Sequence, residues 1–153
     1  MNITGVDHTS YTVSSLERSL EFYVGLLGCQ VLWQRVIEND YFRQIVGFPG
    51  CVVKAAHLRV PGSDHHIELF EYVTPAGDQP ELRTNNVGNS HLSFIVADLP
   101  AAYAELKAKG VKFRSPPVLI TTGANKGGWG AYMLDPDGIT MELFQSPMKD
   151  RVD

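Results

Sequence analysis

The chain of 153 residues is short of several things. It has two cysteines, Cys29 and Cys51, too few for a disulfide framework and at no metal-binding spacing. They read as small buried thiols rather than as a bridge or a nucleophile. No apolar run approaches the ~18 residues of a membrane-spanning helix, so no membrane partner is expected. The opening stretch MNITGVDHT has no basic region followed by an apolar one, so no signal peptide is expected and the setting reads as cytoplasmic. Basic charge is also scarce: 13 Lys and Arg stand against 17 Asp and Glu, a net charge of −4. The densest basic cluster, Lys107, Lys109, Lys112 and Arg114, reads as an exposed helix end and an edge strand. No nucleic-acid partner is therefore expected, since no basic stripe could offset phosphate charge. An apolar content of 44% is ordinary for a globular chain and enough for one domain, or for two small repeats sharing a core.

What the chain does have is a repeat. Residues 5–13 read GVDHTSYTV and residues 88–96 read GNSHLSFIV; residues 67–70 read IELF and residues 141–144 read MELF. Each half can be read as strand, helix, then three strands. In the first half, Ile3–Val13 is a strand. Ser14 with Glu17 three residues on has the form of a capping box. Leu16, Leu20, Tyr23 and Leu27 form a helical apolar stripe that ends at Gly28. Strands follow at Cys29–Ile37, Val52–Val60 and His66–Val73, the last two joined by the turn Pro61-Gly62-Ser63-Asp64. The stretch 38–50, with Tyr41, Phe42, Ile45 and Phe48, reads as a loop with a short helical turn that covers a pocket.

The second half repeats the order. Ser90–Val96 is a strand. Asp98 caps a helix with Pro100 in its first turn and Leu99, Ala102, Tyr103 and Leu106 on its apolar stripe. Gly110 closes that helix. Val111–Arg114 is a short strand, Val118–Thr122 a separate strand or an extended loop, and Gly130–Leu134 with Ile139–Gln145 form a hairpin around Asp135-Pro136-Asp137-Gly138. The modules are residues 1–73 and 90–146 of a single domain, with 74–89 as the linker; the tail after Pro147 reads as loose. The implied fold class is α+β: two tandem βαβββ modules forming a curved mixed sheet around a concave face.

The repeat places a His and a Glu in each half: His8 with Glu68, and His91 with Glu142. Strand alternation puts Glu68 and Glu142 on the face opposite Ile67, Leu69, Met141 and Leu143. A carboxylate on the inner face of a strand needs a partner. Either residue type alone is an ordinary surface or structural group; the same pair in both repeats points to a divalent metal held by all four. Imidazole and carboxylate suit Ni, Zn, Co, Fe or Mn. Four protein ligands leave positions for water or substrate on an octahedral ion, which could polarise a carbonyl, and a ligand Glu that swings away could serve as the base.

The stretches VDHTSYTVSSLERSLEFYVGLLG, HIELFEY, NSHLSFIVADLPAAYAELKAKGV and LDPDGITMELFQ resemble the vicinal oxygen chelate superfamily of glyoxalase I, methylmalonyl-CoA epimerase, extradiol dioxygenases, fosfomycin-resistance enzymes and bleomycin-binding proteins. The resemblance runs from residue 6 to 145. It implies paired βαβββ modules, metal ligands at His8, Glu68, His91 and Glu142, a homodimer and a small-molecule substrate. It favours a lyase or isomerase of the glyoxalase I or epimerase kind, with Glu142 or Glu68 as acid/base and Glu142 preferred. An extradiol ring-cleaving enzyme, for which Glu68 is a surplus ligand, and an antibiotic-type binding protein without catalysis are the alternatives.

Other residues carry two readings each. His66 is a partner of Glu68, an acid, or a partly exposed strand histidine. Trp129 and Tyr132 wall a pocket or pack a core. Arg43 meets an anionic substrate group or is simply solvated. His57 and His65 read as surface or turn residues, and Asn85 and Asn86 as shapers of the linker turn.

Overall fold

The computed structural model describes residues 2–147. The segment beyond Pro147, read above as a loose tail, lies outside the described residues. The chain divides into two compact units between Pro80 and Glu81.

In the first unit the elements are β1 (His8–Thr12), α1 (Leu16–Leu20, continuing as a π-helical segment Glu21–Leu26), β2 (Gln30–Ile37), α2 (Asp40–Val46), β3 (Val52–Arg59) and β4 (His66–Thr74). The sheet order is β1-β4-β3-β2, with β1 parallel to β4 and the other pairs antiparallel. β1 is shorter than the strand expected over Ile3–Val13. Its ladder opens at His8 against His66, where β4 begins, so the residues before it have no strand to pair with. The helix cap is also shifted by one. Ser15, not Ser14, accepts the Arg18 backbone N–H, while Ser14 Oγ accepts from the Arg18 guanidinium at 2.7 Å.

One sheet face packs on α1. It carries Tyr11, Leu58, Ile67 and Leu69, and it buries Leu16, Phe22 and Tyr23 of the helix. The other face is covered at one end by α2. Phe42 packs there with Ile37, Cys51, Val53 and Ala55, flanked by Trp33, Phe70 and Tyr72. The short helical turn expected within 38–50 is thus a seven-residue helix with its own small core.

The second unit contains β5 (Leu92–Ile95), α3 (Leu99–Ala108), β6 (Lys112–Phe113), β7 (Val118–Leu119), β8 (Trp129–Leu134) and β9 (Thr140–Gln145). Its sheet runs β5-β9-β8-β6, with β7 also on β8. Again the first strand is parallel to the last. Asp98 Oδ1 accepts the Ala101 N–H at 2.9 Å, capping α3 as expected. Leu99, Leu106, Met133, Met141 and Leu143 are buried on the α3 side. The β8–β9 turn is held by Asp135 Oδ1, which accepts from the Asp137 and Ile139 N–H groups at 2.9 and 2.8 Å. Among the described residues no helix is long and apolar enough to cross a membrane.

A second tie recurs within each unit. The last strand of each sheet hydrogen-bonds the first turn of the helix above it. Glu71 Oε2 accepts the Leu16 N–H at 2.7 Å, and Gln145 Oε1 accepts the Leu99 N–H at 2.8 Å. These satisfy helix-start donors that would otherwise be orphaned. Glu71 also takes Lys54 Nζ at 2.8 Å, and the Leu16 and Lys54 bonds together hold its carboxyl below the usual glutamate range.

Because Glu71 is more acidic folded than unfolded, its contribution is fully present above about pH 4.5 and is lost as pH falls through the folded value. Glu71→Gln keeps an acceptor, as Gln145 does, and should flatten this acid limb of stability. Glu71→Ala should cost about 1 kcal/mol at neutral pH. Urea melts from pH 3 to 7 read both.

Burial pushes the Cys29 thiol up to about 11, and Cys51 is fully buried. Native protein at pH 8 should resist iodoacetamide and take up two equivalents only on unfolding; rapid native alkylation would contradict that packing.

Candidate metal-binding half-sites

The register of each sheet sets the His–Glu relation. In the parallel β1–β4 ladder, Glu68 pairs with Ser10, and His8 lies two residues before that serine on the same face. In the β5–β9 ladder, Glu142 pairs with Ser93, and His91 stands two residues before it. The outcome is the same in both units. His8 Nε2 is 3.2 Å from Glu68 Oε2, and His91 Nε2 is 3.3 Å from Glu142 Oε2. Both pairs are half-open: the glutamate side chains are 13% and 24% exposed, the histidines 34% and 39%. The apolar neighbours Ile67, Leu69, Met141 and Leu143 are turned to the helix side and buried, as the alternation predicts.

The antiparallel neighbour of each glutamate completes the half-site. Across from Glu68 is His57, and across from Glu142 is Tyr132. His57 Nδ1 is 3.7 Å from Glu68 Oε1, its Nε2 is 3.1 Å from His66 Nδ1, and its ring lies flat on Trp33 at 5.3 Å. Burial holds the His57 imidazole below the ordinary histidine value, partly offset by the Glu68 carboxylate. Tyr132 sets its ring 4.9 Å from His91, with its hydroxyl 3.5 Å from Nε2.

His57 corrects the reading of that residue as a surface or turn group, since its side chain is only 12% exposed. The signal was in the hairpin: a turn centred on Pro61–Asp64 folds residue 57 onto residue 68. His66 is the partner of His57 rather than of Glu68. His65 does sit at the turn, hydrogen-bonded to Thr9 at 3.0 Å. Arg43 is tied within its own segment, to Asp40 at 3.0 Å and to the Cys51 carbonyl at 3.2 Å. Tyr132 lies on the Glu142 face; Trp129 pairs with Gln145, whose side chain caps α3, and so belongs to the opposite face.

The chemistry of these pairs bears on metal binding. His8 Nδ1 is 2.7 Å from Asp7 Oδ2. With its proton on that nitrogen, Nε2 presents a lone pair to the Glu68 carboxylate. Two acceptors at 3.2 Å repel unless a proton or a cation lies between them. Neutral imidazole and carboxylate are the donors a divalent transition ion takes, so the residues present fit such an ion. Among the described residues no three His, Cys, Asp or Glu side chains are gathered closely enough to hold a metal; each unit brings a pair.

Two βαβββ units, each with a His–Glu pair on one sheet face, define a paired-module α+β protein. The sequence pattern of the Glyoxalase/Bleomycin resistance protein/Dioxygenase superfamily matches residues 5–143, and the chain belongs to that family. A 2-epi-5-epi-valiolone epimerase from an Actinomyces species is 32% identical over 146 residues, which cover 93% of this chain and 79% of that protein. The lactoylglutathione lyase of Schizosaccharomyces pombe is 28% identical over 158 residues; the match takes in 99% of this chain but 51% of the yeast protein, so the chain spans about half of it. Among solved structures, a glyoxalase family protein from Bacillus cereus superimposes with a TM-score of 0.82 at 20% identity, covering 96% of this chain and 97% of that one. The superfamily resemblance and the paired-module fold read from the sequence are both borne out.

Helix α2 closes one end of the face that carries Glu68, with Phe42 edge-on to Phe70 at 5.5 Å. Phe42→Ala should cost about 3–5 kcal/mol, and proteolytic cleavage within 38–50 should outpace global unfolding. An unchanged melting temperature would mean that α2 is not anchored through this ring.

Proposed function

We propose that the chain is a divalent-metal-dependent lyase or isomerase of the glyoxalase or epimerase kind, moving a proton next to a carbonyl of a small-molecule substrate. The observation that supports this most is the recurrence of one His–Glu geometry, at 3.2 and 3.3 Å, in both modules. Relatives named as an epimerase and as a lactoylglutathione lyase fit a proton-transfer enzyme. In this reading His8, Glu68, His91 and Glu142 together hold one ion, Ni, Zn, Co, Fe or Mn, and the working unit is a homodimer of chains with the modules as repeats. The bound ion would act as a Lewis acid toward the substrate carbonyl.

The residues divide the rest of the work. The histidines are neutral donors, so the two carboxylates balance the charge of a divalent ion. Glu142 has one close partner, His91, and is the acid/base that takes the proton next to the carbonyl and returns it. Glu68 lies between two imidazoles and is the steadier ligand, with a secondary claim as base. Tyr132 walls the Glu142 side with its ring.

Metal analysis after removal and reloading should give about one equivalent per four-ligand set for the wild-type protein, and much less for His8→Ala or His91→Ala. Glu142→Gln should retain most of the metal and lose about 10²–10⁴-fold in turnover. Assays start with 2-epi-5-epi-valiolone and with the hemithioacetal of glutathione and a 2-oxoaldehyde. In D₂O, solvent deuterium should enter the product. A protein that takes up no divalent ion, or a product free of solvent deuterium, sinks this reading; the first outcome favours a binding protein and the second favours oxygen chemistry.

A further inference from the structure

The two half-sites share ligands but not supports, and this difference is informative. In the first unit, Asp7 precedes His8 and takes its Nδ1 at 2.7 Å, which leaves Nε2 as the atom turned to Glu68. On the other side of Glu68, His57 points Nδ1 at Oε1 from 3.7 Å. That nitrogen is buried and makes no hydrogen bond, while the rest of the ring is fixed by His66 at 3.1 Å and by the flat Trp33 contact. A buried, unpartnered ring nitrogen aimed at a carboxylate is a costly arrangement to keep without a use.

In the second unit the matching positions hold Ser90 and Tyr132. The recorded contacts of His91 with Glu142 and with the Tyr132 hydroxyl both fall on Nε2. Among the described residues nothing fixes its Nδ1. Tyr132 therefore shares the nitrogen that would ligate an ion, whereas Asp7 fixes the one that would not.

We propose that Asp7 and His57 are positioning residues for a divalent cation, Asp7 setting the ring and tautomer of His8 and His57 setting the Glu68 carboxylate, so that the first module is the tighter half of the metal site. The inference rests on the metal reading above. A hydrogen-bond acceptor on the far nitrogen of a ligating histidine aligns the ring and raises its basicity, and losing such a partner commonly costs 10–100-fold in affinity. Glu68, with an imidazole nitrogen near each oxygen and 13% exposed, is more closely confined than Glu142, which has one such neighbour and is 24% exposed.

The test uses the metal-free full chain and Co²⁺ or Zn²⁺ alone, in competition with a chromophoric chelator. Asp7→Asn and His57→Phe should each weaken binding about 10–100-fold, with thermal stability of the metal-free protein nearly unchanged for the exposed Asp7 site. Asp7→Glu should restore part of the loss. Ser90→Asp, which gives His91 the missing acceptor, should tighten binding. The Co²⁺ d–d spectrum should shift in Asp7→Asn, which a merely structural residue would not cause. If wild type binds the ion tightly and His8→Ala abolishes binding, yet Asp7→Asn and His57→Phe match wild type, this inference is overturned while the metal reading stands. If wild type binds no ion, both fall. His57→Gln, which keeps a polar side chain, separates loss of the Nδ1 contact from loss of packing: weak binding with an intact melting temperature supports the positioning role.

Discussion

The pairing of the first and last strands of each module is the constraint on which the rest depends. A parallel ladder brings two segments distant in sequence side by side at one register, about 4.8 Å apart. With Glu68 opposite Ser10 and Glu142 opposite Ser93, a histidine two residues upstream arrives on the same face as the glutamate. A slip of one residue would turn the glutamate into the helix layer and an apolar neighbour out of it. The buried Ile67, Leu69, Met141 and Leu143 therefore hold the His–Glu pairs in place by resisting that slip. The Glu71–Leu16 and Gln145–Leu99 bonds add a second lock, since each joins the last strand to the helix that follows the first. The same strand thus carries the glutamate of the His–Glu pair on one face and the helix anchor on the other.

The modules then diverge where the ladder does not constrain them. Helix α2, between β2 and β3, buries Phe42 against the end of the first sheet that carries Phe70 and Tyr72. The second module places in the corresponding interval the short β7 and the glycine-containing stretch before Trp129. There Gly128 is closely confined: a Cβ would stand 2.6 Å from the Gln145 carbonyl. The Glu68 face of the first sheet is consequently covered by aromatic packing at one end and most open at His8, 34% exposed. Exposed apolar side chains on α2 and nearby, Tyr41, Ile45 and Phe48, leave that element with an uncovered outer side.

Much of this was legible in the residues. The repeat gave the module order, and period-two alternation gave the faces of Glu68 and Glu142, because a buried apolar flank leaves only one choice. Asp98 and the Asp135–Gly138 turn were readable from local chemistry that acts over a few residues. The misread parts have a common cause. The true start of β1 depends on where β4 begins, and the length of α2 depends on a sheet face to pack against; neither is encoded nearby. His57 was misjudged because its burial comes from cross-strand neighbours, Trp33 on one side and Glu68 on the other, that no local pattern reveals. Ser14 and Ser15 are equivalent as caps by composition, and only the Arg18 geometry separates them.

The electrostatics of the first half-site follow from the same register. The sheet fixes His8 against Glu68, the chain itself fixes Asp7 against His8, and the hairpin fixes His57 against Glu68. Glu68 thus stands between two imidazoles and His8 between two carboxylates, and among the described residues no lysine or arginine pairs with Glu68. Arg35 is taken up by the Trp33 ring at 4.3 Å and Lys54 by Glu71 on the opposite face. Asp7 Oδ2 at 2.7 Å and Glu68 Oε2 at 3.2 Å flank the two nitrogens of His8, so a proton or a cation at Nε2 is what lets the pair sit this close.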